Sequence, residues 1–298
     1  MRVYLALLLS LAAIWGASFM FIEIALDDLA PTTLMAGRVL IASVMLVGLM
    51  AVSGTLGRLR SAGWRAYALG LINSALPFTL IAWGQEHIDS GVAAIANATT
   101  PIWVAILAIW LARSERATGV RIVGIVVGLV GVAVLTGVQP DVDAWAIAGT
   151  LAVVVASILY AAAALLLQRQ TQRLDTLTLT TATMLGATLI LLPFGIAEGP
   201  SVAPGWEAVA AVVALGLVGT GVGLLIYMKL IGDYGSFRAG LVTYLLPVTA
   251  LFYGSLLLDE QITGWMVAGL GLILLGVALG SGVLRLGRRA DVAEPAHP

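Results

Sequence analysis

The chain has 298 residues, 60% of them hydrophobic and only 10% charged, with a net charge of −1 and a mean hydropathy of +1.04. A soluble domain carries about 25% charged residues because its surface meets water, so most of this surface is expected to meet lipid. The absence of cysteine, a single lysine (Lys229) and two histidines outside the apolar runs (His87 and His297) exclude disulfides, cysteine nucleophiles, a phosphate loop ending in Gly-Lys-Ser/Thr and a buried histidine metal pair.

The first element, Met1–Ala17, has the Arg-then-apolar look of a secretion signal, but nine more apolar runs follow, so it reads as a retained first helix. A bilayer core of about 30 Å needs roughly 20 apolar residues per helix. Ten segments qualify, at 3–26, 32–54, 66–87, 90–112, 118–137, 144–167, 176–196, 206–229, 236–258 and 263–284. Their short connections leave no room for a folded ATPase or receptor domain. The basic residues Arg2, Arg58, Arg60, Arg65, Arg113, Arg116, Arg121, Arg169, Arg173, Lys229, Arg238, Arg285, Arg288 and Arg289 fall on the N-tail, every second loop and the C-tail. The alternate loops hold Asp27, Asp28, Glu86, Asp89, Asp141, Asp143, Glu198, Glu207, Asp259 and Glu260 and no basic residue. Cationic loops stay cytoplasmic, which predicts a multi-pass inner-membrane protein with both termini inside.

Two stretches about 145 residues apart repeat one another. Pro101, then Glu115, Thr118, Gly119, Gly124, Gly131, Val132 and Ala133 match Pro247, Glu260, Thr263, Gly264, Gly269, Gly276, Val277 and Ala278, the prolines after one deletion. Five helices per half is an odd number, so the second half must lie inverted relative to the first, an arrangement that places substrate near the midplane between repeats. The expected fold is all-α: a first repeat at 1–137, a second at 138–289 and a disordered cytoplasmic tail at 290–298.

The run Trp83-Gly-Gln-Glu-His-Ile-Asp-Ser-Gly-Val-Ala-Ala-Ile-Ala-Asn97-Ala-Thr-Thr-Pro101 with Glu115-Arg116, together with Trp15-Gly-Ala-Ser-Phe, Pro31, Arg38, Pro247 and Glu260, resembles the EamA-type branch of the drug/metabolite transporter superfamily. Within that branch it is similar to YddG-type amino-acid and metabolite exporters. The resemblance covers the whole chain. It implies a basket of ten helices around a central cavity lined largely by helices 1, 3, 4, 6, 8 and 9, and export more than import.

Counting along the spans puts Pro77, Pro101 and Pro247 near the middle of helices 3, 4 and 9. Each proline is expected to kink its helix and free a carbonyl four residues earlier, at Asn73, Asn97 and Thr243. Unpaired backbone at that depth requires protein or cavity water, which points to a polar cavity between bent helices. Trp15, Ser18, Asn73, Phe78, Asn97, Thr100, Tyr160, Thr220, Tyr227 and Tyr244 lie at similar depths as candidate substrate-binding residues, with Trp15 and Tyr160 at matched positions of the two halves. Packing alone also explains any one of them, and Trp83 reads as an interface anchor. Glu23 and Arg38 are the only charges well inside spans. Their similar depth on adjacent helices suggests an ion pair, which either locks helices 1 and 2 or forms a gate or carboxylate site. Gly124/Gly128 and Gly276/Gly280 are spaced for internal packing or a dimer surface, and Gly219/Gly223 for close contact or for leaving room to substrate.

Four functions compete. An intramembrane enzyme lacks His-Glu-x-x-His, Gly-x-Ser-x-Gly and any carboxylate pair in the spans. A carrier of phosphorylated or nucleotide-linked sugars needs several cations at the midplane, where Arg38 stands alone and off-centre. An exporter of lipophilic cations wants an acid there, although aromatic walls could hold a cation by cation–π attraction. A secondary exporter of small amphipathic metabolites, above all aromatic and neutral amino acids, fits best. No catalytic residue, metal or cofactor is expected. The expected partners are a small solute and the lipid bilayer, with no nucleic acid, and the chain is expected as a monomer or weak homodimer.

Overall fold

The structure, a computed structural model, describes residues 2–112, 119–137, 143–171, 173–200 and 203–280. Glu115-Arg116, Asp141, the three C-terminal arginines and the expected tail at 290–298 lie outside the described residues.

All described elements are helical: α1 Arg2–Leu26, α2 Pro31–Val52, α3 Arg58–Ser61, α4 Gly63–Gly70, α5 Leu76–Gln85, α6 Ser90–Asn97, α7 Thr100–Ala112, α8 Gly119–Gly137, α9 Ala144–Gln170, α10 Thr176–Glu198, α11 Trp206–Ala214, α12 Gly223–Tyr234, α13 Ser236–Gly240, α14 Val242–Leu257 and α15 Gly264–Gly280. Two π-helical turns, Leu71–Ala75 and Leu215–Val222, join α4 to α5 and α11 to α12. Among the described residues eight helices are long and apolar enough to cross a membrane, and the shorter apolar α8 and α15 bring the membrane-crossing helices to ten.

Local chemistry sets the helix ends. Pro31 opens α2, where its missing N–H costs nothing. Asp143 and Asp175 cap α9 and α10, their carboxylates accepting from the Ala146 and Thr178 N–H at 2.8 and 3.0 Å. Gly235, at φ +84°, turns the chain between α12 and α13 in a conformation that an L side chain rarely adopts.

The packing repeats itself across the two halves. The helix α1 lies against α14 and against the α11–π–α12 helix, while α9 lies against α6–α7 and against the α4–π–α5 helix. Two pairings are shared between the halves: α2 against α10, and α8 against α15. At the first, the hydroxyls of Ser43 and Thr188, 145 residues apart, meet at 2.9 Å, which puts the pseudo-twofold axis between them. The second is glycine-mediated. A Cβ on Gly276 would strike the backbone of Gly124 and Gly128, so these glycines serve packing between α8 and α15 inside one chain.

The loops sort by charge in space as in sequence. At one end Tyr4 donates to the Arg238 carbonyl at 3.1 Å and Arg58 reaches Asp175 at 3.3 Å. At the other, the Asp28 carboxylate accepts from the Gly205 N–H at 2.7 Å, and Glu198 from the Thr33 N–H at 3.2 Å. We call these the basic and acidic ends.

Candidate functional site

Between the halves lies a cavity of about 330 Å³. Four residues of α1, Trp15, Ser18, Phe19 and Ile22, form one wall. They are spaced as one helical face. The first π-turn contributes Asn73 and Ser74, and α5 adds Phe78 and Ile81. Asn97 and Thr100 enter from α6 and α7, and Tyr160 and Ala164 from α9. The second half supplies Gly219 and Thr220 from its π-turn, Leu224 and Tyr227 from α12, Gly240 from the end of α13, and Val242, Thr243 and Leu246 from α14. Arg38 of α2 and Met184 of α10 complete the lining. Helices 1, 3, 4, 6, 8 and 9 dominate, as the resemblance implies, with one residue each from helices 2 and 7.

The broken helices explain how polar groups reach this depth. Pro77 has no N–H to give the Asn73 carbonyl, and the chain there widens into a π-turn. The second half makes the same π-turn without proline, from the glycine-rich run Leu215–Val222. There the Gly219 carbonyl accepts the Trp15 indole N–H at 3.0 Å. Gly219 and Gly223 leave room for Ser18 and Trp15, whose atoms lie 3.0 and 2.5 Å from where a Cβ would stand. That space is therefore filled by protein. In helix 4 the break falls between Asn97 and Thr100. The Asn97 carbonyl is not left free: the Thr100 hydroxyl donates to it at 2.8 Å, with Ser157 at 3.5 Å. In helix 9 the break falls between Gly240 and Val242, where the Thr243 hydroxyl donates to the Gly240 carbonyl, and Pro247 sits inside the continuous α14.

Aromatic rings furnish two walls. Trp15 and Tyr227 have centroids 5.2 Å apart, and Phe78 meets Tyr160 edge-on at 6.4 Å. The Arg38 guanidinium lies 4.0 Å over the Phe78 ring, and its Nε donates to the Thr220 hydroxyl at 2.9 Å.

The structure does not join Glu23 to Arg38. The Glu23 carboxylate accepts from the Gln85 amide at 3.1 Å, and the charges acting on it are Glu260, Asp89 and Asp27 at the acidic end. The ion pair expected from equal depth fails because depth fixes position along the helices but not rotation about them. Arg38 faces the cavity and Glu23 faces Gln85.

Trp15, Ser18, Asn73, Phe78, Asn97, Thr100, Tyr160, Thr220 and Tyr227 line the cavity together. Tyr244 does not; it packs half-buried against the main hydrophobic core while its neighbours Val242 and Thr243 face the space. Pro77, Pro101 and Pro247 do not line it. Phe19 and Ile22 were accessible to sequence reasoning, since they continue the face of Trp15 and Ser18. Met184 carried no signal in an otherwise ordinary helix.

The sequence model of the EamA-like transporter family matches residues 2–137 and again 147–282. An uncharacterized transporter of Bacillus subtilis, YoaV, is 25% identical over 91% of this chain and 94% of its own length. A probable terminal-alkyne amino-acid exporter of Streptantibioticus cattleyicolor is 28% identical over 94% of both chains. An uncharacterized inner membrane transporter of Escherichia coli, YedA, is 26% identical over 97% of this chain and 92% of its own. One solved crystal structure has a TM-score of 0.69 at 20% identity, covering 94% of this chain and 98% of its own, and shares the fold.

Proposed function

The chain belongs to the EamA-like transporter family, and from that premise we propose that it is a secondary exporter of small amphipathic metabolites, above all aromatic and neutral amino acids, working by alternating access between the two repeats. The observation that carries this reading is the composition of the cavity wall. Trp15, Phe19, Phe78, Tyr160 and Tyr227 offer an apolar surface, and Asn73, Asn97, Thr100 and Thr220 offer hydrogen bonds at the same depth. A volume of about 330 Å³ lies at the small end of the roughly 300–1,000 Å³ usual for small-molecule sites. It suits a solute the size of an amino acid. The amino-acid exporter among the relatives points the same way.

An exporter of lipophilic cations is the second reading, and the charge in the cavity speaks against it. Arg38 is a like charge, and it already occupies the face of Phe78 that a cation would seek.

Purified protein in liposomes loaded with labelled phenylalanine, threonine or tetraphenylphosphonium, with and without a pH gradient, tests the proposal. Efflux of the amino acids faster than from protein-free liposomes, with the cation leaving no faster than from protein-free liposomes, is the expected result. Protein-dependent efflux of tetraphenylphosphonium with no protein-dependent efflux of either amino acid reverses the assignment.

A further inference from the structure

Arg38 is the one residue of the cavity wall that ordinary membrane packing does not explain. Its side chain is 7% exposed and lies within the hydrocarbon span of α2. A guanidinium stays charged in proteins and carries five N–H donors. Burying it without a counter-charge is costly, and natural membrane helices place such groups against an acid or a functional cavity. Among the described residues no carboxylate pairs with it. Its partners are the Thr220 hydroxyl on Nε at 2.9 Å, the Met35 sulfur 4.0 Å from Nη1 and the Phe78 ring beneath its plane, and the neutral Tyr160 phenol, whose ring meets Phe78 edge-on, also lies within electrostatic reach. A neutral hydroxyl, a thioether and a ring quadrupole do not neutralise it. The nearest intramembrane acid, Glu23, is engaged with Gln85.

The contacts also fix the guanidinium's orientation. Thr220 sits on the π-turn of the second half and takes the inner nitrogen, and Phe78 of the first half supports the plane. Neither contact uses the Nη2 edge. The fork is therefore preorganised by both repeats, with donors left over on the side of the space it lines.

We propose that Arg38 is the anchor for a carboxylate on the transported solute, so that the cavity selects monocarboxylates with an apolar body. This rests on the exporter reading above and adds its charge requirement. The solute supplies the counter-ion that is missing among the described residues. The anchor spans the interface of the repeats through Thr220 and Phe78, so binding and the relative position of the halves are coupled at this residue. Lysine would be a poor replacement, because an ammonium cannot bond Thr220 through an inner nitrogen while presenting a planar fork.

The test measures competition against labelled phenylalanine on the purified full-length protein, using phenylalanine, its methyl ester, 3-phenylpropionate and 3-phenylpropionamide. In the unaltered protein each acid is expected to bind at least about tenfold more tightly than its ester or amide, the scale of a charge-assisted hydrogen bond. Arg38→Gln should remove that preference while leaving the affinity for ester and amide nearly unchanged, and Thr220→Val, which keeps the charge but frees its inner nitrogen, should reduce it. Equal binding of acid and ester by the unaltered protein overturns the anchor, whether or not Arg38→Gln can be purified. An acid preference that survives Arg38→Gln overturns it too. If labelled phenylalanine does not bind, labelled 3-phenylpropionate replaces it as the tracer. Binding of 3-phenylpropionate over its amide, with no binding of phenylalanine, keeps the anchor and sinks the amino-acid reading. No binding of either acid sinks both.

Discussion

At the scale of single residues, the cavity divides labour between walls and head-group contacts, and that division is measurable. Trp15→Ala or Tyr160→Ala removes an aromatic face worth roughly 0.5–1.5 kcal/mol beyond its burial, so a bulky solute such as phenylalanine should lose affinity by about tenfold. Threonine, too small to reach both walls, should change much less. Asn97→Leu should weaken every solute alike, because it removes a polar partner at the break between α6 and α7. Competition binding on the three variants checks this, and a uniform loss for Trp15→Ala would contradict it. A second residue-scale prediction concerns acid. Burial alone would raise the Asp175 carboxyl, but the Thr178 N–H and hydroxyl, at 3.0 and 2.8 Å, and Arg58 at 3.3 Å together hold it below the usual range. Its stabilising effect is therefore present above the unfolded carboxylate value of about 4 and lost as pH falls through the lower folded value. The melting temperature in detergent should drop on acidification below pH 4, and Asp175→Asn should flatten part of that drop. Asp89 has the opposite sign, since burial and then the Glu260 carboxylate push it up. Most site residues were legible because a cavity wall needs polar and aromatic groups at one depth, and depth follows from counting 1.5 Å per residue. The side-chain direction of Arg38 and Tyr244 was not legible, because helix rotation in an apolar span leaves almost no amphipathic trace.

At the scale of elements, the helices cross the bilayer in pieces, and each break has its own cause. Prolines were the visible signal, yet they account for only part of the pattern. The π-turn at Leu71–Ala75 precedes Pro77, but its counterpart at Leu215–Val222 has glycines and no proline. In α14 Pro247 is accommodated without a break. A proline count therefore locates depth and misses the geometry, since a π-turn depends on where neighbouring backbone and side chains claim space. The short α6 shows what such a fragment needs. Its first N–H groups, Ser90 and Gly91, donate to the two Glu260 oxygens at 2.8 and 3.1 Å, so a loop of the second half caps a helix of the first at the acidic end. A carboxylate there satisfies orphan donors and meets the positive end of the helix dipole. Glu260→Ala should lower unfolding stability by about 1–2 kcal/mol, read as a fall in melting temperature, and Glu260→Gln should recover part of it. An unchanged melting temperature in Glu260→Ala would mean that water caps α6 equally well.

At the scale of the whole molecule, the two halves share one packing scheme, and the membrane orientation follows from which end carries positive charge. The contacts Tyr4 to Arg238 and Arg58 to Asp175 gather the basic loops at one end, while Asp28 to Gly205, Thr33 to Glu198 and Ser90 to Glu260 gather the acidic ones at the other. Exposed indoles stand near both ends: Trp64 at 74% by the basic loops, Trp206 at 77% by the acidic ones. Tryptophans of this kind settle at the two membrane–water interfaces, so the bundle is expected to span with these ends at opposite surfaces. Retention of Lys/Arg-rich loops on the cytoplasmic side then predicts that the basic end, where α1 starts and α15 ends, faces the cytoplasm. The chain has no cysteine of its own, so single cysteines report position without background. Glu86→Cys, exposed at the acidic end, should react with an impermeant thiol reagent added to intact cells, and Arg60→Cys, exposed at the basic end, should react only after the membrane is opened. Reaction of Arg60→Cys alone in intact cells would reverse the orientation, and turn the proposed exporter's basic end outward. Reaction of both would break the alternation of charge on which the ten-helix count rests.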